Sequence, residues 1–224
     1  CIFNDIIDKD LDKKVKRTKL RPIAAGKISI THSFFYVLIL CVLAFLILLQ
    51  FNFLTILLGV GSMFLAFSYP FMKRITYWPQ LFLGLTFNWG IIMAWTSMDL
   101  AVSIEILLLY IAAIFWTLGY DTIYGAQDMS DDEIIGIKPT YLKFKNNIKL
   151  FVSFSYLVTV VLITYLLKDV MGQNISSILI LFFILTLIFQ IYKFNIHNSS
   201  SCLQCFKFNN ISGLVLFLSI LSIS

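Results

Sequence analysis

Charge is what this chain has least of. Only 13% of its 224 residues are Asp, Glu, Lys or Arg, against 59% hydrophobic ones. A soluble domain carries about 25% charged and about 45–50% apolar residues, so a soluble globular class is excluded. No low-complexity linker separates the apolar runs, and no stretch is polar enough for a soluble domain. Histidine is limited to two residues and cysteine to four. Cys41 lies in an apolar run, while Cys202 and Cys205 form a lone C-x-x-C in what reads as a short loop. Zinc there needs two more ligands and only His197 is near, so the pair reads as ordinary reduced thiols. No cleavable signal sequence is visible. The chain opens at Cys1 inside a charged stretch with no helix before it, which we read as an N-terminal truncation.

What is there is a series of apolar runs. Seven predict helices, over about 31–50, 53–71, 80–98, 101–120, 149–167, 175–192 and 209–224. A span needs roughly 20 apolar residues, so the fold class is all-α, a polytopic transmembrane helix bundle. The net charge of +5 does not point to nucleic acid, because the basic residues lie between the spans. Sixteen of the 17 Lys and Arg fall in the stretches 1–30, 72–79, 125–149 and 193–208, and only Lys168 falls on the alternate side. By the positive-inside rule, the four stretches share the cytoplasmic side of a lipid bilayer.

Two of those stretches hold most of the acidic residues. The first runs Asn4-Asp5-Ile6-Ile7-Asp8-Lys9-Asp10-Leu11-Asp12, and the second runs from Tyr120-Asp121 through Asp128, Asp131 and Asp132 to Lys138. Residues at i, i+3 and i+7 share a helix face. Asp5, Asp8 and Asp12 have that spacing, with Asn4 one position round. Asp121, Tyr124, Asp128 and Asp132 form a second stripe. Carboxylates crowded beside apolar helices repel one another and are costly to desolvate. Two facing rows would hold Mg²⁺ on a diphosphate, since Mg²⁺ takes one or two carboxylates and completes its shell with water and phosphate oxygens. Arg17, Arg21, Lys73 and Lys138 lie on the same side and suit phosphate. Tyr69 and Lys73, four apart, stack on one helix face. Trp89, Trp95 and Trp116 lie within spans, where an indole face can stabilise a carbocation.

At these residues the chain resembles the UbiA superfamily of intramembrane prenyltransferases. N-D-x-x-D-x-x-x-D, Asn4 to Asp12, looks like its first aspartate-rich motif, and R-T-x-x-R-P-x-x-x-G, Arg17 to Gly26, is shared among several branches. The run from Tyr120-Asp121-Thr122-Ile123-Tyr124-Gly125-Ala126-Gln127-Asp128 to Lys138 is similar to the second motif of the branch that prenylates 4-hydroxybenzoate. Tyr69-Pro70-Phe71-Met72-Lys73-Arg74, Trp78-Pro79-Gln80 and the tail from Cys205-Phe206-Lys207 to Leu218 look like that branch too. Two departures stand out: Pro139 where the branch usually has Ser, which restrains Lys138, and Gly125 for a usual Ala, a milder change.

The resemblance implies one membrane-embedded prenyltransferase domain over residues 1–224, with about seven of the family's nine helices present. The first helix and most of the second would be missing, so residues 1–12 would fray and this chain alone would be inactive. It implies Mg²⁺–diphosphate binding at Asn4, Asp5, Asp8, Asp12, Asp128 and Asp132, with Asp131 and Asp121 nearby. Lys73 would contact the diphosphate beside Tyr69, and Arg74 or Arg21 would hold a benzoate carboxylate. The implied substrates are a polyprenyl diphosphate and 4-hydroxybenzoate, and the implied place is the inner membrane of a bacterium or mitochondrion. A haem farnesyltransferase would share Arg17-Thr18 and Arg21-Pro22 but lack Asp128-x-x-Asp131-Asp132. A cation transporter would carry carboxylates at mid-span, where the sequence offers Glu105 alone.

Overall fold

The computed structural model describes residues 2–172 and 174–223; Cys1, Gln173 and Ser224, and with them the reading of Cys1 as the cut end, lie outside the described residues. The described chain is helical and divides into two compact units, Cys1–Val102 with Asp128–Pro139, and Ser103–Gln127 with Thr140–Ser224.

The first unit begins with two short helices, α1 (Ile2–Ile7) and α2 (Lys9–Asp12), then turns through residues 13–28 into α3 (Ile30–Leu48) and α4 (Phe53–Ile75). Both long helices are capped as their sequence suggests. Ser29 accepts from the His32 N–H and Asn52 from the Thr55 N–H, satisfying donors that a helix start leaves open. The apolar run at 80–98 is helical but not one unbroken helix. It breaks at Asn88 into α5 (Pro79–Phe87) and α6 (Trp89–Thr96), nine and eight residues long. The Asn88 side chain donates to the Gly84 carbonyl at 2.9 Å, and an asparagine that bonds its own backbone competes with helix continuation. The Trp89 indole N–H donates to the Leu58 carbonyl at 3.0 Å. Among the described residues, six helices are therefore long and apolar enough to cross a membrane, one fewer than the runs suggested. The unit also contains α8 (Met129–Ile135).

The second unit consists of α7 (Ile104–Gly125), α9 (Thr140–Lys143), α10 (Ile148–Leu166), α11 (Ile175–Lys193) and α12 (Ser199–Leu221). α7 packs on α10, and α11 pairs with α12. Helices in lipid gain little from apolar burial against one another, so small residues and interhelical hydrogen bonds carry the packing. Here Tyr156 donates to Gln190 Oε1 at 2.7 Å and Gln190 Nε2 donates to Ser212 at 2.9 Å, all three side chains being buried. Trp116 donates to Asn209 at 2.9 Å, and Trp95, in the first unit, donates to the Ala101 carbonyl at 2.8 Å. Trp89 and Trp116 thus spend their N–H on interhelical bonds, and Trp95 ties the end of α6 to the loop that follows it. Replacing Gln190 with leucine strands the Tyr156 and Ser212 hydroxyls. We expect a loss of about 1–2 kcal/mol, read as a lower unfolding temperature in detergent; an unchanged temperature would show that the relay does not hold α10, α11 and α12.

Three further expectations change. Cys202 and Cys205 are not in a loop: α12 starts at Ser199, where Asn198 caps it by accepting from the Ser201 N–H, and both thiols are buried. Their small side chains let α12 approach α11, with Cys205 Sγ 3.7 Å from the Gln190 carbonyl. Glu105 is not at mid-span but in the first turn of α7. Gly125 is not a mild change, since a Cβ there would lie 2.2 Å from Cε1 of the buried Tyr141 ring.

Candidate active site

The carboxylates of the first motif are placed by a break in the backbone. α1 ends at Ile7, Asp8 stands at the junction with φ −92° and ψ 4°, and α2 resumes at Lys9. This turn carries Asp8 inward, where it is fully buried. Lys73 Nζ, in the last turn of α4, donates to Asp8 Oδ2 at 2.5 Å, and Arg74 Nη2 lies 3.4 Å from Oδ1. Arg74 also donates to the Ile7 carbonyl at 2.7 Å, tying the end of α1 to α4. Burial pushes the Asp8 carboxyl above its ordinary value, Lys73 pulls it back, the neighbouring Asp12 raises it and Arg74 lowers it.

Asp5 and Asp12 share one cation. Arg21 Nη1 donates to Asp5 Oδ1 and to Asp12 Oδ2, each at 3.0 Å. The Thr18 hydroxyl donates to the Asp12 carbonyl at 3.1 Å, which folds residues 13–21 back over α2. Phe3 meets Phe67 of α4 edge-on at 4.7 Å. Residues 2–12 are therefore seated by aromatic packing and ion pairs, where the sequence led us to expect fraying.

The later part of the second motif, from Asp128 to Lys138, belongs to the same unit. Arg17 grips Asp128 through three hydrogen bonds, Nε to both carboxylate oxygens at 3.1 Å and Nη2 to Oδ2 at 2.6 Å. The Lys16 N–H donates to Asp131 Oδ2 at 3.2 Å. Asp132 is buried, and its carbonyl accepts from the Gly136 N–H. The Lys138 N–H donates to the Lys73 carbonyl at 2.8 Å. Asp5, Asp8, Asp12, Asp128, Asp131, Arg17, Arg21, Lys73, Arg74 and Lys138 are thus linked, directly or through a shared segment, within one unit.

Other expected members are placed differently. The 3₁₀ turn Ala126–Asp128 breaks the helical register on which the stripe from Asp121 to Asp132 rests. Asp121 and Tyr124 belong to α7 in the second unit, where the Tyr124 ring lies 4.3 Å from Phe206. Tyr69 lies one turn before Lys73 on α4. Asn4 gives its carbonyl to the Asp8 N–H at 2.8 Å. Sequence reasoning missed Thr18 and the Lys16 N–H, and assigned Arg17 to phosphate with no carboxylate partner. Arg21 reaches the first acidic cluster and Arg17 the second, a division that their spacing along the chain does not signal.

The donor set is chemically suited to a hard divalent cation, which prefers carboxylate oxygen. Among the described residues, no three His, Cys, Asp or Glu side chains converge as a ready cage. The carboxylates are instead neutralised by Lys73, Arg74, Arg17 and Arg21. That pattern fits Mg²⁺, which binds few carboxylates directly and shares its remaining positions with water and phosphate.

Residues 1–214 match the model of the UbiA prenyltransferase family. The 4-hydroxybenzoate polyprenyltransferase, mitochondrial, of Rattus norvegicus is 43% identical over 225 residues, covering 98% of this chain and 59% of the relative. The human protein of the same name is 43% identical over 222 residues, covering 98% and 60%. The chain thus spans about three-fifths of the length of these relatives. Among solved structures, a UbiA homologue from Aeropyrum pernix K1 superposes with a TM-score of 0.82 at 21% identity, over 98% of this chain and 82% of that one. A UbiA homologue from Archaeoglobus fulgidus, bound to GPP and Mg²⁺, gives 0.70 at 18% identity over 99% and 81%. With two aspartate-bearing segments gathered beside membrane-spanning helices, this chain belongs to the UbiA prenyltransferase family.

Proposed function

We propose that this protein transfers a polyprenyl group from a polyprenyl diphosphate to the ring of 4-hydroxybenzoate in a Mg²⁺-dependent reaction, as a step toward ubiquinone. The observation that carries the reading is the buried Asp8 between Lys73 and Arg74, in the unit where Arg17 holds Asp128. The 43% identity to relatives named for this activity supports the substrate pair. Asp8, Asp12, Asp128 and Asp132, with Asn4, Asp5 and Asp131, would hold Mg²⁺. When bound, the ion neutralises charge developing on the leaving diphosphate.

The chain's own residues do the rest. Lys73 and Arg17 already lie against carboxylates, so they are placed to exchange those partners for phosphate oxygens as the allylic C–O bond breaks. Arg21 or Arg74 holds the benzoate carboxylate. Tyr69, Asp121 and Tyr124 stay as candidates for the substrate surroundings. The ring carbon ortho to the phenol captures the allylic cation and then loses its proton. The prenyl tail lies in the bilayer, in the inner membrane of a mitochondrion or bacterium with the acidic motifs on the matrix or cytoplasmic side.

The test incubates membranes carrying the protein with ring-labelled 4-hydroxybenzoate and a prenyl diphosphate, with and without EDTA. We expect an ortho-prenylated product that disappears with EDTA and returns with excess Mg²⁺. Label in no product, or in an O-prenyl ether, would refute the assignment.

A further inference from the structure

We infer that Lys138 acts through its backbone N–H, and not through its ammonium group, as a positioning residue for Lys73. The inference rests on the proposed role of Lys73 at the diphosphate. It starts from the C-terminal end of α4. The last four carbonyls of a helix have no intrahelical donor. The Thr76 N–H serves Met72, and the Lys73 carbonyl accepts from the Lys138 N–H at 2.8 Å. The turn before it is already weakened. Pro70 lies inside α4 one turn upstream, and a proline cannot donate to the Ala66 carbonyl four residues before it. Lys73 must nonetheless be held well enough for its ammonium to reach a fully buried carboxylate.

The segment that supplies the N–H is shaped for it. α8 ends at Gly136 in the left-handed region, φ 80° and ψ 23°, with its N–H on the Asp132 carbonyl. A residue with a side chain adopts that backbone only with strain. The chain therefore reverses directly after the acidic helix. Pro139 is buried, and a proline disfavours the helical region for the residue before it, so the helix that ended at Gly136 does not resume at Lys138 and its N–H is left for the Lys73 carbonyl. The Lys138 ammonium meanwhile lies 5.9 Å from the centre of the Tyr77 ring. Lysine is therefore dispensable as a side chain here, and proline after it becomes the part that matters.

The experiment compares wild type with K138A, K138P and P139G in reconstituted membranes. It uses geranyl diphosphate and 4-hydroxybenzoate as substrates, and hydrogen–deuterium exchange without ligand. K138A keeps the N–H and is expected to hold the geranyl diphosphate KM within about threefold. K138P deletes the N–H and is expected to raise that KM at least tenfold, with the 4-hydroxybenzoate KM moving less than twofold and faster exchange over residues 72–77. P139G is expected to fall between, with faster exchange at the Lys138 amide. If K138P does not fold, P139G and the wild-type Lys138 amide still decide. Wild-type exchange at Lys138 as fast as in open loops would overturn the inference, and so would equal damage from K138A and K138P. Absence of prenyl transfer by the wild type would remove the proposed function, while the exchange comparison would still support or overturn the tie.

Discussion

We expect Asp8→Ala to lower the proposed prenyl transfer roughly a thousandfold, and Asp128→Ala to do the same. Stabilising the charge on a leaving diphosphate is worth several kcal/mol, and each 1.36 kcal/mol is tenfold in rate. The two positions are sensitive for a shared reason. Asp8 is fully buried against Lys73 and Arg74, and Asp128 is gripped through three hydrogen bonds by Arg17, so each carboxylate organises a cation as well as offering oxygen. Alanine removes both contributions together. Asp10 is the control. Its side chain is 88% exposed and meets only Lys13 at 3.4 Å, so Asp10→Ala is expected to stay within twofold of wild type. Initial rates with labelled 4-hydroxybenzoate make the comparison. An Asp8→Ala rate within tenfold of wild type would remove Asp8 from the chemistry.

Replacing Lys73 with methionine lowers stability by about 3–5 kcal/mol, the range for breaking one side of a buried ion pair. The substitution keeps an unbranched apolar stem, one atom shorter, but leaves Asp8 buried, with Arg74 at 3.4 Å. Burial already pushes the Asp8 carboxyl above its ordinary value, and the loss of Lys73 pushes it further. A raised carboxyl binds its proton more tightly in the folded state than in the unfolded one. The variant is therefore least impaired at low pH, and its penalty grows as pH rises from the ordinary carboxylate value through the raised one. Unfolding followed by intrinsic fluorescence in detergent checks this, and the double variant Asp8→Asn with Lys73→Met should recover most of the loss. A loss below about 1 kcal/mol at neutral pH, unchanged by Asp8→Asn, would mean that the pair is not buried as described.

Much of this was legible in the residues themselves. Long apolar runs read as helices because lipid leaves the backbone no other partner. The two acidic clusters were legible because carboxylates are scarce in such a chain. What escaped was set by single residues acting on the backbone. Asn88 splits one run by bonding the carbonyl four residues back. A 3₁₀ turn at Ala126–Asp128 shifts the register, so the stripe drawn from Asp121 does not continue as one helix face. Arg17 and Asp128 are 111 positions apart, a pairing that spacing along the chain does not encode. Tyr141 is the reason that Gly125 fits, and nothing in the sequence links the two.

The cation-held aspartates are proposed to form a Mg²⁺–diphosphate site. Its most direct test is equilibrium binding of geranyl diphosphate to the reconstituted protein, titrated calorimetrically in Mg²⁺ and again in EDTA. We expect affinity at least a hundredfold tighter with Mg²⁺, with that difference lost in Asp8→Asn and in Asp128→Asn. Binding of equal strength with and without Mg²⁺, or a Mg²⁺ effect that survives both substitutions, would contradict it.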